Sequence, residues 1–461
     1  MRFDPQLAEI RFGCGLSPNV APPVSVDQML ATLTRPDAIA ARFPIEGFDE
    51  FGHRIGNALE LQKVRRTNRG SVGALAAKKA IRLVKKDARI AQATWFCQHL
   101  NRWVSTDAPF RERLTMFWAD HFTTMGKAGV IRRAVSPYIE SAIRPHINDS
   151  FETLLQAAVL HPMMIHYLDQ IRSIGPNSKR AIGAGKSAGL NENLARELLE
   201  LHTLGVHAAY DQTDVTQLAE LLTGVTYGQP VTLKFRKDLA EPGPEVVLGK
   251  TYGGGEAGMR DVQAVLRDLA RHPATAAHIA HKMAVHFTSD TPDPALVAAL
   301  EAAFLETDGD LAAVNSTLLN HPSAWDPVQR NVKQPFQFMA SALRALAPPP
   351  AAISGIDERD VRKIFYKPLS EMGQVWEKPA GPDGLPEEDS AWIAPQGIAA
   401  RLQWAISVPN QLIADLPDPR QFVQTALGDF TTPAVNFAAD AAESRWDGVG
   451  LILASPAFQR T

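Results

Sequence analysis

Two cysteines, Cys14 and Cys97, are too few for a disulfide framework and leave room for one bridge at most. Nowhere does the chain hold about 18 uninterrupted apolar residues, the length a membrane-crossing helix needs. Met1-Arg2-Phe3-Asp4-Pro5 opens without the apolar run of a signal peptide, so the expected location is cytoplasmic. Charge of one sign is missing too: 47 Lys and Arg face 50 Asp and Glu, a net charge of −3. No global field gathers polyanions, and nucleic acid is disfavoured as a partner. There is no internal repeat and no Cys/His spacing of a structural zinc site.

What is present is enough apolar residue for a large core, 45% of 461 residues. Phe110, Leu114, Phe117, Trp118 and His121 form one helical stripe. Val262, Val265, Leu266 and Leu269 begin another, which resumes through Ile279, Met283 and Phe287. The expected fold is mainly α, with prolines at helix starts in His161-Pro162, His272-Pro273 and His321-Pro322. Short β-prone runs between Gly224 and Tyr252 predict a small β-hairpin insertion of two or three strands at 224–252. The prolines near Ala347 suggest a main helical body over 1–347 and a C-terminal helical section over 348–461. Within the latter, the Pro/Gly-rich stretch from Lys378 to Pro386, between Trp376 and Trp392, is expected to pack across the surface. Ser173 to Gly189 reads as a mobile loop, and the ten Lys and Arg from Lys63 to Arg89 read as a solvated basic helix, with a phosphate or anionic-surface contact as the alternative.

Several segments carry candidate chemistry. Gly183-Ala184-Gly185-Lys186-Ser187 ends like a phosphate-binding loop, but Arg180 stands where the first glycine belongs and no strand precedes it. In Asn191 to His202, a rotation of about 100° per residue puts Asn193, Glu197 and Glu200 on one face and leaves His202 nearer the apolar side. Carboxylates three residues apart can chelate a cation or act as an acid/base pair. The same segment has Glu192, Arg196 and Glu200 at i, i+4, i+8, the spacing of a salt-bridged solvent face. Asp214, in the polar cluster Tyr210 to Asp214, and His121 and Asp169 from neighbouring helices are the other candidate ligands. With carboxylate and amide donors and no thiolate, a metal held there would be an oxygen-coordinated divalent ion. His161 and His166, five residues apart, cannot form the pair of a zinc helix; His278 and His281 are an i, i+3 pair.

Asn191-Glu192-Asn193-Leu194-Ala195-Arg196-Glu197-Leu198-Leu199-Glu200-Leu201-His202-Thr203-Leu204-Gly205 closely resembles the signature of the bacterial domain-of-unknown-function family 1800. Phe117-Trp118-x-x-His121-Phe122, His161-Pro162-Met163-Met164, Lys282 with His286-Phe287, and Pro382-Asp383-Gly384 resemble it as well, in register from about Arg11 to the C-terminus. The resemblance implies a mainly helical fold and supplies no mechanism. It also implies pairing with a protein of the neighbouring family 1501, which resembles sulfatases and phosphatases. The chain is then either a ligand- or metal-binding, hydrolase-like protein or a non-catalytic escort of such an enzyme, and export would depend on that partner. After Phe235 the chain departs from the family, with Arg236-Lys237-Asp238 in place of His-Asp.

Overall fold

The computed structural model describes residues 2–184, 189–229 and 231–461. It is mainly helical, as the 3.6-residue period requires. The helices that position the site are α1 (Phe48–Thr67), α2 (Val72–Ser105), α3 (Pro109–His121), α4 (Asn193–Glu197), α5 (Gln212–Leu221), α6 (Pro273–Phe287) and α7 (Pro335–Leu346).

The three His-Pro starts share one device. Each histidine is the N-cap, and its Nδ1 accepts the backbone N–H two residues on, from Met163 and Ala274 at 3.1 Å and from Ser323 at 3.3 Å. The proline occupies the first turn, where a missing N–H costs nothing. The device needs an unprotonated Nδ1, and burial supplies the bias, pushing His161 down to about 3 and lowering His272.

The β insertion consists of two separate antiparallel hairpins. In the first, β1 (Val225–Gly228) pairs with β2 (Thr232–Phe235); in the second, β3 (Pro244–Val247) pairs with β4 (Lys250–Gly253). Gly243, at φ 117, leads into Pro244, the first residue of β3, so a left-handed residue is followed by one with no N–H to donate to a ladder. Leu248 and Gly249 close the second hairpin with φ of 50 and 74, the left-handed pair that two-residue connections favour.

Buried apolar side chains form two clusters, and α2 runs between them. Trp95 belongs to the first, with Phe12, Phe51, Trp118 and Trp325; Phe96, Leu100 and Trp103, one helical face away, belong to the second, with Phe336, Trp404 and Phe458. Cys14 and Cys97 are both buried in the second cluster as free thiols, so the one bridge the composition allows does not form. The Lys378 to Pro386 stretch holds no helix and is pinned at its ends. Trp392 donates its indole N–H to Pro386 O at 3.0 Å, and the Trp376 ring packs on Phe96 and Phe336.

Candidate functional site

α3 ends at His121, and the stripe that buries Trp118 and Phe117 buries this imidazole too. Its ring meets Trp118 and Phe122 edge-on, with centroids 5.4 and 4.5 Å apart. Nε2 lies 3.2 Å from the His202 carbonyl oxygen. A carbonyl only accepts, so Nε2 carries the proton and Nδ1 the lone pair. That Nδ1 is buried and has no hydrogen-bond partner among the described residues. Burial first, then the Lys282 charge, holds His121 well below the ordinary imidazole range and therefore neutral.

α4 continues into a π-helical turn, Leu198–His202, whose wider loop lets the Thr203 hydroxyl donate to Leu198 O at 2.6 Å. His202 is buried beside Phe122, its ring 6.2 Å from that of His121, and burial pushes it down to about 3. From α6, His278 places its ring 6.2 Å from His121 and donates through Nε2 to Leu201 O at 3.2 Å. The backbone passes close to that ring at Gly205, where φ is +89 and a Cβ would lie 3.0 Å from His278 Nδ1. Only glycine fits both conditions. His121, Gly205 and His278 border a cleft of about 450 Å³ lined also by Glu200, His281, Lys282 and Asp383, with Leu201, Leu204 and Val206 among its apolar wall.

A second layer of charge lies against Lys282. The Leu385 N–H points at Asp120, 3.0 and 3.1 Å from its two oxygens. His286 Nδ1 is 3.0 Å from both oxygens of Glu387, and its Nε2 is 3.5 Å from Arg113. Arginine only donates, so Nε2 accepts from it and the Nδ1 proton faces Glu387. Asp120 keeps some solvent contact; burial, with Glu387 adding repulsion, still pushes its carboxyl up to about 8 against the opposing pull of Lys282 and the Leu385 N–H. Glu387 moves the other way. Burial raises it, but His286, Lys282 and Arg113 together outweigh that and leave it below its usual range. Two neighbouring carboxyls pushed in opposite directions are the pattern of an acid paired with a base.

The six residues singled out in the sequence do not converge. His121 and Glu200 line the cleft, and Glu197, half-buried, is raised by burial and by the charges of Glu200 and Asp383. Asn193 is exposed. Asp214 accepts the backbone N–H of Asp211 at 3.1 Å, closing a capping box, and that of Leu248 at 2.7 Å, so its oxygens hold backbone. Asp169, at φ 57, is paired with Lys127 at 2.6 Å. The salt-bridged face exists alongside: Arg196 reaches Glu192 at 3.2 Å and Glu200 at 3.5 Å. Among the described residues no three His, Cys, Asp or Glu side chains come together as a metal-binding set. Of the loop-like motif, Gly185, Lys186 and Ser187 lie outside the described residues; Gly183 and Ala184 end a short helix, Lys179–Ala184.

Lys282, Asp383, Glu387 and Asp120 are not among the six candidates the sequence offers. Asp383 and Glu387 sit in a Pro/Gly-rich stretch with no period to assign them a face. A signal for Lys282 was present: His278, Lys282 and His286 are spaced four apart, one stripe of α6. Four of the five segments quoted for the family resemblance meet here, since Phe117 to Phe122, Asn191 to Gly205, Lys282 with His286, and Asp383-Gly384 border the cleft or the charge layer against it; His161 to Met164 lies elsewhere, with His161 packed on Phe48 and Tyr138.

No curated protein and no solved structure shows significant similarity to the chain. A family model described as a protein of unknown function (DUF1800) matches residues 10–460, essentially its whole length, and the chain belongs to that family.

Proposed function

We propose that the chain binds a small polar molecule in the cleft between α3, the π-helical turn after α4, and α6, and acts on it by acid–base chemistry, a hydrolase-like activity. The observation that carries this reading is the lone pair of His121 Nδ1, buried and unpartnered among the described residues, on a side chain that lines the cleft. A buried acceptor left unmade costs about 1–3 kcal/mol, and a ligand hydroxyl or amide N–H would satisfy it.

The division of labour follows from the charges. His121 is held too far toward neutrality to serve as a strong base, so it orients the ligand as an acceptor. Lys282 offers the cleft a positive charge for an electron-rich end of the ligand. Asp120, shifted close to neutrality, is the group in the charge layer best placed in pKa to hold and release a proton at physiological pH. Glu200, in the π-helical turn after α4, supplies a carboxylate to the cleft.

The test is thermal shift of the full chain against a panel of monosaccharides, amino acids, carboxylates and phosphate esters, with turnover of p-nitrophenyl esters and phosphate followed in parallel. A compound that raises Tm in the wild type but not in His121→Phe or Lys282→Met, both still folded by circular dichroism, supports the reading. Compounds that stabilise all three equally, or a panel without any effect, sink it.

A further inference from the structure

α1 and α2 form an antiparallel hairpin with its turn at 68–71, and its far half is strongly basic. From Glu60 to Arg89 the chain carries ten Lys and Arg against two Asp and Glu, a surplus of eight; since the whole chain is −3, the remainder carries −11. Among the described residues, Arg89 alone of the ten makes an ion pair, with Glu358 at 3.0 Å.

The two sides of α2 differ in kind. The buried side is a narrow stripe of Ala74, Ala77, Ile81 and Ala88. At 100° per residue the opposite side carries Val72, Leu75, Leu83 and Ile90, and these are 84%, 66%, 53% and 42% exposed. Lys79 and Lys86 stand among them, and Lys78, Arg82, Lys85 and Arg89 follow one flank. At 1.5 Å per residue this face is about 27 Å long. An exposed aliphatic stripe edged by cations suits neither bulk water nor a simple ion-paired surface.

We propose that this hairpin lies along the surface of an anionic lipid bilayer, with the aliphatic stripe at the acyl boundary and the Lys and Arg side chains among the lipid phosphates. No helix of the described residues is long and apolar enough to cross a membrane, so the contact is peripheral. Composition favours lipid over a protein partner. From Gly52 to Thr94 there is no Phe, Trp or Tyr, and four of the six cations on α2 between Val72 and Thr94 are Lys, whereas the centres of protein interfaces are rich in aromatics and poor in Lys. Nucleic acid would set the stripe's aliphatics against phosphate. The acidic remainder is repelled by an anionic bilayer, which confines contact to the hairpin.

Co-sedimentation of the full chain with phosphatidylcholine vesicles, with and without phosphatidylglycerol, tests this. Binding is expected only to the anionic vesicles at low salt, and should fall about tenfold or more in Lys78→Glu/Lys85→Glu. A comparable loss is expected in Leu75→Gln/Leu83→Gln, which leaves the charge unchanged. All four positions are exposed, and circular dichroism checks that both variants stay folded. Absence of binding overturns the proposal, as does binding that the leucine pair does not affect. Self-association lost in the same variants, or duplex DNA bound as tightly as the anionic vesicles, overturns it in favour of another occupant.

Discussion

A methyl group on Gly384 would lie 2.7 Å from Asp120 Oδ2 and 2.9 Å from Asp120 O, so the Pro/Gly-rich loop and the end of α3 meet with room for a hydrogen atom only. Gly384 also has φ +83. Gly70, in the hairpin turn, has nearly the same conformation at φ +85, with no atom of the described residues within 4 Å of its would-be Cβ. Gly70→Ala is therefore expected to cost about 1 kcal/mol, the left-handed penalty alone. Gly384→Ala adds displacement of the loop from Asp120, for a total of about 2–4 kcal/mol. Urea denaturation compares the two; equal losses would mean that the loop yields freely and does not clamp the carboxyl.

Arg344, fully buried on α7, joins parts of the chain far apart in sequence. Its guanidinium donates to Gly15 O at 2.7 Å, Trp103 O at 2.9 Å, Thr106 O at 3.0 Å and Glu9 Oε2 at 3.1 Å. Burial outweighs this partner at Glu9, whose carboxyl is raised. Arg344→Met leaves that acid and the carbonyls unpaired inside the protein and is expected to cost about 3–5 kcal/mol. Glu9→Gln/Arg344→Met should recover part of the loss and not all, because the carbonyls of Gly15, Trp103 and Thr106 stay unsatisfied. Equilibrium denaturation of the three proteins decides it; full recovery in the double variant would assign the whole effect to the ion pair.

The periodic parts of the chain were legible. The stripe Phe110 to His121 is helical and buried where its spacing puts it, and the His-Pro pairs start helices as proline requires. Non-periodic contacts were not. Nothing local says that Asp120 faces Leu385 across 265 residues, that Glu387 meets His286, or that Asp214 is drawn away by a backbone N–H from the second hairpin. Glu197 and Glu200 share a face as the rotation predicts, yet Asn193 lies in solvent and Asp169 turns to Lys127. A helical wheel ranks residues around one axis and carries no information on which neighbour comes to meet them.

Asp214 separates a sequence candidate from the site. Both its oxygens are occupied by backbone N–H groups, at the start of α5 and at the left-handed turn residue Leu248. Asp214→Ala removes a capping-box partner and orphans the Leu248 N–H, an expected cost of about 1–2 kcal/mol. Because Asp214 does not line the cleft, any Tm increment produced by a cleft ligand should be unchanged in this variant. Thermal shift with and without that compound reads both effects, and loss of the ligand increment would return Asp214 to the site.

The Asp120 carboxyl makes stability depend on pH in a direction opposite to the usual Asp. Its folded value, about 8, lies above the 3.8 of an exposed aspartate. Between those two values the unfolded chain releases a proton that the folded chain keeps, so the contribution is complete below pH 3.8 and is lost as pH rises toward 8. Asp120→Asn keeps an oxygen to accept the Leu385 N–H and abolishes the titration. The variant is expected to match the wild type or fall slightly below it at pH 4, and to exceed it by about 2 kcal/mol at pH 8.5. That magnitude is discounted from the full shift, because the carboxyl keeps some solvent contact. The buried histidines His161, His202 and His278 depress wild type and variant alike as pH falls from 6.5, and cancel in the difference. Urea midpoints across this range measure it directly. A difference between the two proteins that stays flat with pH would place Asp120 in the ordinary carboxylate range and take from the proposed site its proton-holding group.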